Sequence, residues 1–315
     1  MSQKDSTKKG KTAAKDVSRR DFMKAGAAAV SLAAGAVLAR SSIVKNIFPA
    51  TVIGANERIL TGHIGLGGMG KRDLQFALMM DELQPIAMCD LWEQHREQGA
   101  DITEGKFARP TTHQYHEEII ENKDIDAVVI VTPDHWHTIP SIMACEAGKD
   151  VFCEKPLTTT IGEGQPIIDA VRKHKRVFQC GNFQRSGWHF QEAVQLIRDG
   201  YIGKVGRVET WIHDSEKPEG IGNPPAMDPP PGLDWDRYIG WTPNTPFDPN
   251  RWLYHFRWFL DYSGGKMTDW GAHLIDIVLW AMGEDNPPLE VMGLGETYVL
   301  TDNRTTPDTC EVLYR

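Results

Sequence analysis

Arg58–Gly70, R-I-L-T-G-H-I-G-L-G-G-M-G, constrains the fold more than any other stretch of the chain. An apolar-rich run leads directly into Gly65-Leu66-Gly67-Gly68-Met69-Gly70, a G-x-G-x-x-G pattern, and a helix-compatible segment, Lys71–Met80, follows. In a strand–turn–helix of this kind Gly65 permits the tight turn. Gly67 lets backbone N–H groups approach a pyrophosphate, and Gly70 lets the helix pack close to the strand. The positive end of the helix favours the phosphate charge. With 29 glycines in the chain the pattern alone is weak. Its context strengthens it: a second apolar run, Pro85–Cys89, ends at Asp90, 20 residues past Gly70. An acid at that place meets a ribose 2′-hydroxyl.

Strand and helix signals then alternate. Thr61–Ile64 and Gln84–Cys89 read as the first two strands and Trp92–Phe107 as a helix. Ala127–Val131 is a β-branched run, as in a strand buried on both faces, and it ends in Thr132-Pro133-Asp134-His135-Trp136-His137. A helix over Thr138–Ala147, a strand over Asp150–Cys153 ending in Glu154-Lys155-Pro156, a helix over Ile161–His174 and a strand over Val177–Cys180 complete the series. Such alternation predicts a doubly wound parallel sheet with helices on both faces. Its ligands bind at the carboxyl ends of the strands, where all these motifs fall.

Beyond residue 183 the pattern changes. Trp188–Asp199 reads as a helix, Val205–His213 as an alternating strand, Gly271–Met282 as a helix, and Glu290–Leu300 and Thr309–Tyr314 as strands. Residues 214–257 are rich in Pro, Trp, Asp and Asn, and a structureless segment of that length is usually functional or disordered. Its aromatics, Trp235, Tyr238, Trp241, Trp252, Tyr254 and Phe256, argue against disorder; they suit sugar faces and core anchoring equally.

The N-terminus is of another kind. Residues 1–24 are polar and basic and contain Ser18-Arg19-Arg20-Asp21-Phe22-Met23-Lys24; Ala25–Ala39 is a small-residue apolar run too short to span a membrane comfortably. This resembles a twin-arginine export signal over residues 1–39, with Val37-Leu38-Ala39 as cleavage site and 40–57 as linker. Export of a folded protein by the twin-arginine route, to the periplasm or otherwise out of the cytoplasm, is the expectation, with membrane contact only through the signal. The signal carries a net charge of +5, so the rest of the chain stands at −14, with no basic patch to suggest nucleic acid. The five cysteines, Cys89, Cys145, Cys153, Cys180 and Cys310, are odd in number and scattered. They read as free thiols rather than a disulfide framework.

Together the glycine loop, T-P-D-H-W-H, E-K-P at Glu154–Pro156 and G-G-K-M-T-D-W-G-A-H-L-I-D at Gly264–Asp276 resemble the Gfo/Idh/MocA oxidoreductases, over roughly residues 58–315. The resemblance implies an NAD-binding Rossmann domain, here 58–182. A substrate and catalytic α/β domain with an open antiparallel sheet, here 183–315, follows it. That sheet often serves oligomer contacts, so a full-length homo-oligomer is implied. Few strands are readable in the second domain, so either the domain is incomplete at its C-terminus or its sheet is unusually small. The resemblance also implies that Lys155, Asp269 and His273 line the nicotinamide and the substrate. The NAD-using glycosidases of the family carry a different sequence around the histidine.

The chemistry of these residues fits a secondary-alcohol oxidation. Histidine's ordinary pKa near 6.5 suits a base for the hydroxyl proton. Asp269 and His273, four apart, share a face if helical. Lys155 can stabilise charge on the reacting oxygen, and Asp269 can orient Lys155 or grip a hydroxyl. Gly65, Gly67, Gly68, Met69, Gly70 and Asp90, with Thr132, Pro133, His135, His137, Glu154 and Lys155, form the expected cofactor set. Asn182, Gln184 and Arg185 are candidates for substrate hydroxyls or a carboxylate. His135 and His137 flank Trp136, but nothing completes a metal-ligand set, so no metal is expected. Asp90, with no arginine directly after it, favours NAD over NADP. Three functions stay open: hydride transfer on a sugar, cyclitol or glycoside hydroxyl; redox-neutral hydrolysis or elimination through transient oxidation; and non-enzymatic nucleotide or sugar binding.

Overall fold

The computed structural model describes residues 57–213, 218–283 and 288–315. The twin-arginine signal and nearly all of the linker lie outside the described residues. Six parallel strands form the first sheet: β1 Ile59–Ile64, β2 Leu83–Cys89, β3 Thr111–His113, β4 Ala127–Ile130, β5 Asp150–Cys153 and β6 Phe178–Cys180, in the order β3-β2-β1-β4-β5-β6. The order reverses between β1 and β4, where the glycine loop and the loop after β4 diverge to open a crevice. Helices α1 Gly68–Leu78, α2 Glu93–Glu104, α3 His116–Glu121, α4 Thr138–Glu146 and α5 Ile161–His174 connect the strands. The core lies between them, with Ile64, Ala87, Val128, Ile130 and Val151 buried from the sheet and Ala144 and Ala170 from the helices. The capping box of α5, Thr160 with Glu163, is also a tertiary bond, because the Glu163 carboxylate accepts from Thr138 Oγ1 at 2.6 Å.

β3 and α3 are elements the sequence reading lacks. β3 is three residues of Thr-Thr-His at the sheet edge, too short and polar to show a period. Conversely, Val205–His213 forms no strand. Its backbone has no described strand to pair with, and its side chains, Trp211 at 75% among them, are exposed except for half-buried Val205 and Ile212.

The second part begins with α6 Trp188–Arg198 and continues through α7 Trp235–Ile239, α8 Gly265–Asp269 and α9 Gly271–Met282. An antiparallel pair follows, β7 Val291–Glu296 and β8 Thr309–Tyr314, the only strands of this part among the described residues. Between residues 233 and 262 the aromatics build a second core: Trp235 stacks on Tyr238 at 4.9 Å, and Phe247, Trp252, Trp258, Phe259 and Tyr262 close it. Trp235, Tyr238 and Trp252 are thus core anchors, whereas Trp241 and Tyr254 remain exposed. Cys89, Cys145 and Cys153 are buried free thiols and Cys180 is half-buried; Cys310 is exposed.

Candidate active site

A cleft of about 840 Å³ runs along the carboxyl ends of β1, β2, β4 and β5 and is walled on its far side by residues 233–273. The glycine loop forms one end. Gly65 has φ +87°, and a Cβ there would lie 2.5 Å from the Val131 carbonyl; one on Gly70 would lie 2.0 Å from the Gly65 carbonyl. Those two glycines are required by close backbone packing. Gly67 and Gly68 are different: a Cβ on either would meet nothing within 4 Å and would project into open space. Gly67 caps α1 without any side-chain hydrogen bond, so the first N–H groups of the helix have no side-chain cap. An uncapped helix start beside an open, side-chain-free cradle fits a pyrophosphate. Asp90 lies at the end of β2, and its carboxylate accepts from Leu66 N–H at 2.7 Å and from Trp92 N–H at 2.9 Å. It therefore ties the glycine loop to the end of β2 while lining the cleft.

The other end holds the charged cluster. Lys155, at the end of β5, donates from Nζ to Asp269 Oδ1 at 2.5 Å and to the Asp269 carbonyl at 3.1 Å. The second carboxylate oxygen faces Arg257 Nε at 3.0 Å. Burial opposes ionisation of Asp269, but Arg257 and Lys155 outweigh it and hold its pKa below the ordinary carboxylate range. His273 is buried against the Phe183 ring at 4.7 Å, and its Nδ1 has no hydrogen-bond partner among the described residues. Burial, reinforced by Lys155, pushes its pKa down to about 4. Asp269 and His273 stand on two consecutive helices, α8 and α9, rather than on one; both still line the cleft.

The remaining residues divide. Thr132, Pro133, Glu154 and Gln184 line the cleft with Lys155, and Met69 joins the glycine loop there. His135 and His137 are buried behind its wall. His135 Nε2 donates to the Tyr238 carbonyl at 2.9 Å, and the His137 ring lies between the Pro156 and Thr132 carbonyls at 2.7 and 2.9 Å. Burial lowers both pKa values to about 4, so each ring is neutral and can donate from only one nitrogen. Arg185 makes a two-pronged ion pair with Asp276, both contacts 2.7 Å, which fixes the segment after β6 to α9. Asn182 accepts from the Cys180 thiol.

Among the cleft residues that the sequence does not mark as candidates are Arg257, Asp134 and Trp270. Arg257 had no signal, because it sits in an aromatic segment without period. Asp134, in the loop after β4, is buried and accepts from Ser263 Oγ; burial raises its pKa to about 7. Trp270 lies between the two motif residues, half-exposed at the cleft.

Two family models match the chain. The Gfo/Idh/MocA oxidoreductase family, NAD-binding Rossmann fold, matches residues 59–182, and the family's C-terminal alpha/beta domain matches 217–294. The chain belongs to the Gfo/Idh/MocA oxidoreductase family. Its first domain is therefore an NAD-binding Rossmann domain, and the cradle described above is where its residues fit the dinucleotide. Among relatives, inositol 2-dehydrogenase of Salmonella typhimurium is 30% identical over 147 residues, 45% of this chain and 42% of that protein. A glycosyl hydrolase family 109 protein of Shewanella baltica is 23% identical over 216 residues, 63% of this chain and 47% of its own. The chain spans about half the length of the curated relatives it matches. Among solved structures, an NAD-binding protein from Listeria innocua superposes with a TM-score of 0.59 at 22% identity, covering 82% of this chain and 63% of that one. WlbA dehydrogenase from Bordetella pertussis in complex with NADH and UDP-GlcNAcA gives 0.59 at 18% identity, covering 82% and 67%. At these identities the likeness is one of fold.

Proposed function

We propose that this member of the family is an exported oxidoreductase that transfers hydride between a hydroxyl of a sugar, cyclitol or glycoside and NAD. The observation that carries the reading is the Lys155–Asp269–Arg257 cluster facing His273 within the same cleft as the glycine loop. Nicotinamide, when bound, supplies the hydride acceptor or donor. The neutral His273 is ready to take the hydroxyl proton. Lys155 donates a hydrogen bond to the reacting oxygen, and Asp269, kept ionised by two cations, fixes the direction of Lys155. Asp90 favours NAD, since a 2′-phosphate would meet its carboxylate; tighter binding of NADP than NAD would refute this. Incubation with NAD and a panel of sugars, cyclitols and glycosides tests the function, followed by absorbance of reduced nicotinamide. The expected result is reduction with one class of polyol.

A second reading is redox-neutral cleavage of a glycoside. It is favoured by the match to the family 109 protein, which extends over more of this chain than the match to the inositol dehydrogenase. Release of an aryl leaving group with no net reduced nicotinamide would select it. Export rests on the paired Arg19-Arg20. Replacing both by lysine should leave the protein in the cytoplasm with residues 1–39 attached; unchanged export would exclude the twin-arginine route. Assembly into homo-oligomers in the full-length protein is part of the same proposal.

A further inference from the structure

The segment that follows Asp90 is bound to a part of the second domain that crosses the mouth of the cleft. Trp92 and Leu233 form an antiparallel bridge, with Glu93 N–H donating to the Gly232 carbonyl at 3.2 Å and Asp234 N–H to the Leu91 carbonyl at 3.3 Å. The Trp92 indole donates to the Pro231 carbonyl at 3.2 Å, and Tyr115 Oη to Asp234 Oδ2 at 3.0 Å. Leu91 and Leu233 line the cleft next to Asp90, on the side where the adenosine half of a dinucleotide lies. Residues 228–234 thus form a band across that half. The chain of bonds is continuous: Leu66 of the glycine loop to Asp90, Asp90 to Trp92, Trp92 to the band.

The band is built as a bar on pivots. Pro229-Pro230-Pro231 is a stiff stretch, and Gly232 at its end has φ +79°. Its ends are fixed, by Met227 N–H on the Phe247 carbonyl at 2.9 Å and by buried Trp235. Between those ends Asp228, Pro229 and Pro231 are exposed and Pro230, Leu233 and Asp234 half-buried. The band is attached to the first domain by the handful of bonds above and by Leu91, Trp92 and Leu233, which pack beside the aromatic core, Trp92 edge-on to Trp252 at 4.8 Å. No side chain of residues 228–234 is fully buried, and surface hydrogen bonds with half-buried contacts mark a unit that opens locally at less cost than the core.

We propose that residues 228–234 are a gate for the cofactor: the band detaches from Leu91–Glu93 to let the dinucleotide in or out and closes over its adenosine half. The inference rests on the NAD-binding reading and on no particular substrate. A gate slows entry and exit together, whereas a mere contact slows exit alone.

The test uses the bridge itself. Trp92 and Leu233 face each other as a non-hydrogen-bonded antiparallel pair, for which Cα atoms lie about 4.5 Å apart, within disulfide reach. The full-length double variant Trp92→Cys/Leu233→Cys is loaded with NADH while reduced, then oxidised. Release is followed by loss of NADH fluorescence on adding excess NAD. The oxidised form is expected to release NADH at least about tenfold more slowly, and, when oxidised before loading, to bind it correspondingly slowly, with thiol reversing both. Equal rates in the oxidised and reduced forms would overturn the gate. Tyr115→Phe, a change at a half-exposed side chain, should raise binding and release rates together by about the same factor. A rise in release alone would make the band an ordinary wall. Failure of the reduced protein to bind NADH at all would overturn the dinucleotide reading and the gate with it, whereas binding without gating leaves the cofactor reading intact.

Discussion

Asp269 holds one carboxylate oxygen against Lys155 and the other against Arg257, and this double clamp decides what the neighbouring side chains can do. A lysine anchored at 2.5 Å has its ammonium direction set before substrate arrives. His273 has no such partner at Nδ1 among the described residues and relies on burial to stay neutral. Loss of a general base costs about 10²–10⁴-fold in rate, so His273→Ala should reduce kcat by that order while NADH still binds. Lys155→Ala should do at least as much damage. Near-normal turnover in both variants would make the cluster structural. The pH profile adds a sharper check. With its pKa pushed down to about 4 by burial and then Lys155, His273 accepts protons throughout the neutral range. The acid limb of kcat/KM is expected near 4 rather than near histidine's ordinary 6.5. A limb near 7 would instead assign the base to Asp134 or Glu154, whose burial raises each to about 7.

At the level of elements, the glycine loop and α1 separate folding from binding. Gly70→Ala would drive a methyl to within 2.0 Å of the Gly65 carbonyl, so it should lower the melting temperature and weaken NAD together. Gly67→Ala meets no protein atom and fills the cradle, so it should weaken NAD with the melting temperature unchanged. Equal effects of the two on stability would contradict this division. Most Rossmann elements were legible because apolar runs, glycines and strand ends coincide: α5 and β5 stand where the sequence puts them, and the others, α3 and β3 excepted, differ by a few residues. β3 was not, since a three-residue edge strand buries too little to need apolar residues. Val205–His213 has the alternation of a strand, but pairing is a property of a neighbour, and no described strand lies beside it. His135 and His137 were legible as a motif but not as to direction. Their rings turn away from the cleft to satisfy the carbonyls of Tyr238, Pro156 and Thr132. Arg257 needed the aromatic core of residues 233–262 to be folded before its position had meaning.

Over the whole molecule, buried titratable groups set opposing demands on pH. His63 is lowered to about 3 and His135, His137 and His273 to about 4, all chiefly by burial. Each contributes stability that is present above its unfolded pKa near 6.5 and is lost as pH falls toward 4. Asp73 is raised to about 8, and Asp134 and Glu154 to about 7, again chiefly by burial. Each of these contributes stability that is fully present below its unfolded pKa near 4 and is lost as pH rises through its folded value. The charge of Glu154 adds to burial in raising Asp73, so Asp73 is the last of the three to ionise. Between about 4.5 and 6.5 the two sets oppose each other, and stability should change little. Above 6.5 the histidines have no further effect, and only the carboxyls act. The melting temperature of the cofactor-free protein is therefore expected to be highest near pH 6 and to fall between pH 6.5 and 8.5. Glu154→Gln and Asp134→Asn keep the shape and remove the charge, so they should flatten that decline. A melting temperature that is constant or rises from pH 6.5 to 8.5 in the unmodified protein would show that these carboxyls are ionised in the folded state.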